Sequence, residues 1–235
     1  AEGAGEDCIW SHSWYILEGA EINVQLDGKQ LDRYACCSEL KMTDGIGYRD
    51  KTITGIGTFC HEYSHTLGLA DLYDTDYEGS GGESAGVWIS TSLMDGGNHN
   101  NFGNTPPYYN AIEREMLGIC EPIRITSDGS YSLGPLDKTN TVYRIDTDHE
   151  DEYYLLECRS GKGWDAYIGG KGMLVYHIDR SDRSSGYSEN YGRVLKAYER
   201  WEAANEVNCR PDHQCADLLE ADGRNDIFSH DIPAD

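Results

Sequence analysis

The segment from residue 61 to residue 71 carries side chains that can hold a metal ion. It begins with HEYSH, in which His61 and His65 are four positions apart. Residues four apart lie on one face of a helix, with Cβ atoms about 5–6 Å apart. Both imidazoles can therefore reach one zinc ion at about 2.0–2.1 Å. Glu62 is rotated from His61 by roughly 100°, where it can stand beside the metal and accept a proton from water.

A third ligand follows the helix. A catalytic zinc usually has three protein ligands and an open position. Gly68 permits a sharp turn, because glycine adopts positive φ at little cost, and Asp71 then comes six residues after His65. The string HExxHxxGxxD has the layout of the metzincin motif, with aspartate in place of the third histidine. We predict that His61, His65 and Asp71 bind zinc and that Glu62 is the general base.

Metzincins also place a methionine turn beneath the metal, and Met94 in SLMDG follows the helix at a suitable distance. A lone methionine is more often a core filler, but the accompanying motif favours the turn. His177 lies on a predicted strand and is more often a core or edge histidine than a ligand. We expect the other histidines to be exposed or satisfied locally: His12, His99, His149, His213 and His230.

The chain is strongly acidic, with a formal net charge of -23. Nucleic acid is an unfavourable partner for such a chain, because binding phosphates requires a basic face. The charge favours solubility outside the cell, and calcium is the alternative, since it prefers carboxylate oxygens. Asp74, Asp76 and Glu78 are the calcium candidates, with a solvated acidic loop as an equal alternative.

The eight cysteines include no CxxC pair, which argues against a cysteine-based zinc module. An even number favours one or two disulfides in an oxidising compartment. Cys209 and Cys215 bracket a short polar loop and are the first candidate pair, whereas Cys60 is expected to fill space inside the metal-bearing helix.

The elements that must position the metal ligands follow from periodicity. Apolar residues at three- and four-residue spacing predict a helix over residues 53–67: Ile53, Ile56, Cys60, Tyr63 and Leu67. Alternation around Asp27-Gly28 predicts a hairpin. Residues 71–104 are loop-rich, residues 108–119 form a second helix after Pro106-Pro107, and residues after 123 form short strands. No stretch approaches the roughly 20 apolar residues of a membrane helix.

These elements predict an α+β fold: a metal-bearing helix packed on a small sheet, with a β-rich C-terminal half that completes the cleft. We expect a metalloprotease catalytic domain over residues 1–235. Its zinc-bearing lobe would comprise residues 1–122 and its β-rich lobe residues 123–235.

The chain resembles a known family at this point. HEYSHTLGLADLYD is similar to the core of the immune inhibitor A-type peptidases, a bacterial family of secreted zinc metalloendopeptidases. Further similar segments follow in the family's order: AEGAGEDCIWSHSW, VWISTSLMDGG, PPYYNAIEREMLGI, YYLLECRSGKGWDAYIGGKGMLVYHID and LLEADGRNDI. The resemblance implies zinc on His61, His65 and Asp71, Glu62 as general base, protein or peptide substrates, and a secreted or cell-surface bacterial enzyme. The family's catalytic region begins further upstream, so we expect the native protein to extend beyond both ends of this sequence.

The mechanism that these features predict is hydrolysis by metal-activated water. Tyr108 and Tyr109 are candidates for holding the oxyanion, and no spacing rule selects either. Two alternatives remain: a binding or adhesion module that keeps a catalytically impaired peptidase fold, and a zinc hydrolase of a non-peptide amide. Neither the oligomeric state nor the natural substrate can be read from the sequence.

Overall fold

The computed structural model describes residues 9–42, 51–77, 79, 81–82, 84, 86–87, 90–183 and 194–221. Mixed helices and antiparallel strands make it an α+β fold, as predicted. No helix within these ranges is long and apolar enough to cross a membrane.

The N-terminal part is built from short strands around a hairpin. β1 (His12–Tyr15) runs into the short helix α1 (Ile16–Ala20), and β1 pairs antiparallel with β4 (Arg33–Cys36). Between them, β2 (Val24–Leu26) and β3 (Lys29–Leu31) form the predicted hairpin. Its turn residues Asp27 and Gly28 have φ of 49° and 76°. Positive φ at both central positions is the geometry of a type I′ turn, which Asp-Gly favours.

The predicted metal-bearing helix is present as α2 (Ile56–Thr66), which follows the antiparallel pair β5 (Leu40–Met42) and β6 (Lys51–Ile53). It packs against β1, β4 and the 3-10 helix Gly96–His99. The approach is closest at Gly57, where a Cβ atom would lie 1.8 Å from the backbone oxygen of Asn98. The start of α2 is therefore pressed against the loop that follows Met94.

The face that α2 buries differs from the one that the apolar spacing predicts. Ile56, Tyr63 and Leu67 are 49%, 49% and 50% exposed. The buried residues of the helix are Gly57, His61, Glu62 and Ser64. The helical period was therefore predicted correctly and the buried side was not, because the packing selects the side that carries the polar residues.

The C-terminal part is dominated by one sheet. Helix α3 (Ala111–Met116) precedes it, with a capping box formed by Asn110 and Glu113. The strands are β7 (Ile123–Arg124), β8 (Tyr143–Asp146), β9 (Glu152–Arg159), β10 (Gly172–Asp179) and β11 (Ala216–Leu218). Their order is β11-β10-β9-β8-β7, antiparallel except for the parallel pair β7 and β8. A π-helix, Glu199–Ala203, lies between β10 and β11 in sequence.

The core joins the loops around α2 to this sheet. One buried cluster contains Leu69, Leu72 and Met94 together with Leu155 and Tyr176 from β9 and β10. Residues on both sides of position 122 therefore share one core, and the division into two lobes at that position stays a prediction.

A buried ionic network lies beside that core. Arg159, 1% exposed, donates to Asp165 and Glu157 and to the backbone oxygens of Thr91 and Tyr108. A buried guanidinium requires such compensation, because an unpaired charge in the interior is strongly destabilising. The side chain thereby fixes the loop before Met94 and the segment before α3 onto the end of β9.

Candidate metal centre

The chain reverses direction at the end of α2 and returns toward the helix. The N–H groups of Leu67 and Gly68 donate to the oxygens of Ser64 and His65 at 3.0 Å each, and Gly68 has φ of 103°. That conformation belongs to glycine, which has no Cβ to clash. The turn brings Asp71 back to the buried face of α2.

The three predicted ligands meet at this point. Asp71 Oδ1 lies 3.1 Å from Nε2 of His61 and 3.4 Å from Nε2 of His65. The side chains of His61 and Asp71 are 8% and 7% exposed, and that of His65 is 17% exposed. The structure therefore brings together two imidazoles and a carboxylate that the sequence separates by up to ten positions.

The opposite nitrogen of each imidazole fixes the orientation of its ring. Nδ1 of His61 lies 2.8 Å from the backbone oxygen of Leu93, and Nδ1 of His65 lies 2.8 Å from that of Leu69. A carbonyl oxygen only accepts, so Nδ1 is the protonated nitrogen in each ring. In the neutral ring, which is the form that binds a metal, Nε2 then carries the lone pair, and Nε2 of both rings faces Asp71, the arrangement that metal-binding histidines adopt.

The donor set fits zinc. Ligands at about 2.0–2.1 Å in a tetrahedron are about 3.3 Å apart, close to the two distances observed. Asp71 Oδ1 is also buried without a hydrogen-bond partner, although it lies within 3.4 Å of both rings. The charge of the two imidazoles stabilises this oxygen, and a cation between these three atoms would take over that role.

Electrostatics link the same three side chains. Burial lowers the pKa of His61, but the adjacent Asp71 carboxylate outweighs burial and raises the pKa to about 9. The pKa of His65 is raised by the same balance. Burial alone would raise the pKa of Asp71, yet the two histidines hold it below its usual range. A cation that binds here must displace protons, so metal binding depends on pH.

Glu62 shares this environment. It is buried on α2 at 9% exposure. Burial raises the pKa of its carboxyl group, while the charges of His61 and His65 lower it less strongly. The residue is thus next to the predicted ligands and has an elevated pKa, as a general base for water requires.

Met94 lies in the buried segment that supports the site. It is 0% exposed, and its backbone oxygen accepts from the N–H of Leu72 at 2.8 Å. The preceding residue, Leu93, supplies the oxygen that orients His61. The segment around Met94 therefore holds both the first histidine and the chain next to Asp71.

Two residues at the site escaped the sequence analysis. Asn205 donates from Nδ2 to Asp71 Oδ2 at 2.7 Å, and no sequence spacing connects positions 134 residues apart. Burial and the nearby Asp71 carboxylate raise the pKa of Tyr73. The side chain of Tyr73 is therefore a neighbour of the predicted ligand Asp71, whereas the hydroxyl of Tyr109 lies 2.6 Å from Ser64 Oγ. The position of Tyr73, two residues after Asp71 in the sequence, could have identified it.

The remaining candidates lie away from this group. Nε2 of His177 lies 2.7 Å from Oε1 of Glu152 on the neighbouring strand, and Nε2 of His213 lies 2.7 Å from Oδ2 of Asp179. Asp179, His213 and Cys215 could together contact a metal, but Arg183 already pairs with Asp179. That guanidinium supplies the positive charge that a metal would bring.

The calcium and disulfide predictions have different outcomes. Asp74 and Asp76 approach Cys209, but Asp74 accepts backbone N–H groups from Asp76 and Ser84 at 3.0 Å each. Glu78 lies outside the described residues, and calcium here stays a prediction.

Cys209 and Cys215 are separate free thiols, so the structure does not contain the predicted pair. Cys209 Sγ instead lies 3.2 Å from Thr75 Oγ1.

A helix that carries HExxH, with an aspartate returning to complete three ligand atoms, defines a metallopeptidase site. The comparison with known families agrees: residues 2–118 match the family model described as immune inhibitor A peptidase M6, catalytic domain. The chain belongs to this family of metallopeptidases.

Two relatives illustrate the extent of the similarity. Immune inhibitor A of Bacillus thuringiensis subsp. alesti is 34% identical over 121 residues, which is 48% of this chain and 15% of the relative. Pre-pro-metalloprotease PrtV of Vibrio cholerae serotype O1 (strain M66-2) is 34% identical over 110 residues, or 44% of this chain and 10% of the relative. The chain thus spans only a small part of the curated relatives that it matches. No solved structure matches it significantly.

Proposed function

We propose that the protein is a zinc-dependent endopeptidase of the metzincin type, exported by a bacterium to the medium or the cell surface. The observation that carries the proposal is the convergence of His61 Nε2, His65 Nε2 and Asp71 Oδ1 within 3.1–3.4 Å. Family membership and the name metalloprotease given to one relative support it.

The residues of the chain divide the chemistry between them. His61, His65 and Asp71 would hold the zinc ion. When bound, zinc would supply a Lewis acid that acidifies water and polarises the scissile carbonyl. Glu62 takes the proton of the attacking water and passes it to the leaving amine. Met94 holds the floor of the site through its backbone contact with Leu72.

The oxyanion requires a donor in addition to the metal. Tyr73 is the residue that we assign to this position in preference to Tyr108 or Tyr109. It lies near Asp71, and its raised pKa keeps the phenol protonated and able to donate. The hydroxyl of Tyr109 is instead hydrogen-bonded to Ser64 Oγ on α2 at 2.6 Å.

Elemental analysis and proteolysis together test the function. Protein purified without chelator should contain about one zinc per chain and hydrolyse an unfolded protein substrate. Glu62→Gln should keep the zinc and lose hydrolysis by at least about 10²–10⁴-fold. Glu18→Gln, an exposed change in α1, is the control and should retain both.

The outcomes separate the alternatives. Zinc without proteolysis in the parent protein would favour a binding module or a hydrolase of a non-peptide amide. Loss of zinc in Glu62→Gln would make Glu62 a ligand and contradict the assigned geometry. Full proteolysis by Glu62→Gln would place the general base elsewhere.

A further inference from the structure

A single side chain holds Asp71 by two hydrogen bonds. Asn205 Oδ1 accepts from the backbone N–H of Asp71 at 2.6 Å, and Asn205 Nδ2 donates to Asp71 Oδ2 at 2.7 Å. If the amide were turned by 180°, Nδ2 would face the N–H of Asp71 and Oδ1 would face Asp71 Oδ2, and neither pair can form a hydrogen bond. Hydrogen bonding therefore fixes the orientation of the amide. The amide therefore closes a clamp around both the backbone and the carboxylate of Asp71.

The clamp decides which carboxylate oxygen is available. Asp71 Oδ2 is occupied by Asn205, whereas Oδ1 faces Nε2 of His61 and His65. The free rotation of an aspartate would otherwise let either oxygen, or both, approach a cation. With Asn205 in place, Asp71 presents one oxygen and leaves space for the open position that a catalytic zinc needs.

The backbone around Asn205 is itself fixed. Asn205 has φ of 55°, a left-handed conformation that asparagine adopts more readily than most residues. It follows the π-helix Glu199–Ala203, whose cap residue Ala204 donates to Glu199 O at 2.7 Å. The amide therefore approaches Asp71 from a segment with a defined conformation.

We infer that Asn205 is the positioning residue that orients Asp71 as a one-oxygen metal ligand. This inference rests on the proposed zinc site. It extends the site beyond residues 2–118, which carry the family match, because the residue that orients the third ligand lies 134 positions downstream. Removal of an outer partner of this kind typically lowers metal affinity by about 10–100-fold.

Two substitutions separate the amide from the backbone conformation. Asn205→Asp keeps the size and the acceptor for the Asp71 N–H, but its second oxygen faces Asp71 Oδ2 and repels it. Asn205→Gly removes both hydrogen bonds and keeps the left-handed backbone accessible. Thr75→Val is the matched control, because it removes only the hydrogen bond from Thr75 Oγ1 to the backbone oxygen of Asn205, 2.8 Å long, and leaves both bonds of the amide to Asp71.

Zinc affinity is measured on the full chain by competition with a chromophoric chelator, and the visible spectrum of the cobalt-substituted protein reports ligand geometry. We expect both Asn205 variants to bind zinc about 10–100-fold more weakly than the parent, with an altered cobalt spectrum in Asn205→Asp. Thr75→Val should keep the affinity and spectrum of the parent. Circular dichroism of each protein in chelator establishes folding.

Each failure has its own meaning. A parent protein that binds no zinc contradicts the proposed function before any variant is compared. A parent that binds zinc, together with Asn205 variants of equal affinity and spectrum, contradicts only the role of Asn205. Variants that lose zinc because they are unfolded, or a Thr75→Val variant that loses affinity equally, would make the contact merely structural and overturn the inference.

Discussion

The backbone N–H of Met94 donates to Glu113 Oε1 at 2.9 Å, which ties the first turn of α3 to the segment that contacts the predicted metal ligand His61. The same oxygen accepts from Ser92 Oγ at 2.6 Å, and Oε2 accepts from the Asn110 N–H at 2.7 Å. Burial raises the pKa of Glu113, and these hydrogen bonds oppose that shift. One buried carboxylate thus serves as both a helix cap and a support for the site.

Glu113→Gln should destabilise the protein. A carboxylate offers two acceptor oxygens, whereas a glutamine amide offers one and turns an NH₂ group toward a donor. A buried polar group left unsatisfied costs about 1–3 kcal/mol, and we expect that loss in the free energy of unfolding measured with urea. Glu121→Gln, at an exposed position, is the control. A Glu113→Gln variant as stable as the control would show that the carboxylate does not support the segment around Met94.

Gly57→Ala should loosen the contact between α2 and the loop after Met94. The added methyl would lie 1.8 Å from the backbone oxygen of Asn98, so backbone must move. Overpacking of this kind costs about 1–3 kcal/mol, and a thermal melt should show a lower midpoint. Gly129→Ala is the matched change, since its Cβ would meet only ordinary contacts at 3.4 Å or more. Equal melting temperatures for the two variants would contradict the close packing of α2.

His65→Ala should weaken zinc binding more than the loss of any supporting residue. It removes one of three ligand atoms, so the affinity should fall by more than the roughly 10–100-fold typical of an outer partner. His177→Ala is the control, because His177 bonds Glu152 on the sheet. Chelator competition measures both. Parent-like affinity in His65→Ala would remove this histidine from the site.

Asp217 should make stability depend on pH. Burial, followed by the charge of Glu220, raises the pKa of Asp217 from 3.8 to about 6. The folded state therefore holds a proton that the unfolded state releases, and this contribution to stability is present below pH 3.8 and lost as the pH rises through about 6. At pH 8 the carboxylate of Asp217 is therefore charged in the folded protein although it is partly buried, which destabilises the folded state.

Asp217→Asn should therefore have a higher urea midpoint than the parent at pH 8, with a difference that shrinks toward pH 4. Measurements in chelator on both proteins at each pH remove the effect of metal binding. Asp128→Asn, at an exposed position, should show a small and constant difference. A constant difference for Asp217→Asn across this range would contradict the raised pKa.

The local sequence predicted several of the elements and the candidate residues of the site. The spacing of His61, Glu62 and His65 places them on one side of a helix because a helix repeats every 3.6 residues. Gly68 ends that helix, and Asp27-Gly28 forms the turn between β2 and β3, because few other residues adopt positive φ. These features depend on neighbours in the chain, so they can be read without the fold.

The tertiary structure decided which surfaces meet. It buries the polar side of α2 and leaves Ile56, Tyr63 and Leu67 half exposed, although the apolar spacing alone predicts the reverse. It also keeps Cys209 and Cys215 apart as free thiols, although the short loop between them suggested a bond.

The contacts that orient the predicted metal ligands could be found only in the fold. Asn205 reaches Asp71 across 134 positions, and Glu113 reaches Met94 from the start of α3. Hydrogen bonds of this kind require atoms within about 3 Å in a fixed direction, and that geometry depends on how the whole chain packs. The sequence by itself therefore determined which side chains are candidates to bind a metal, and the packing of the C-terminal half decided how Asp71 is held.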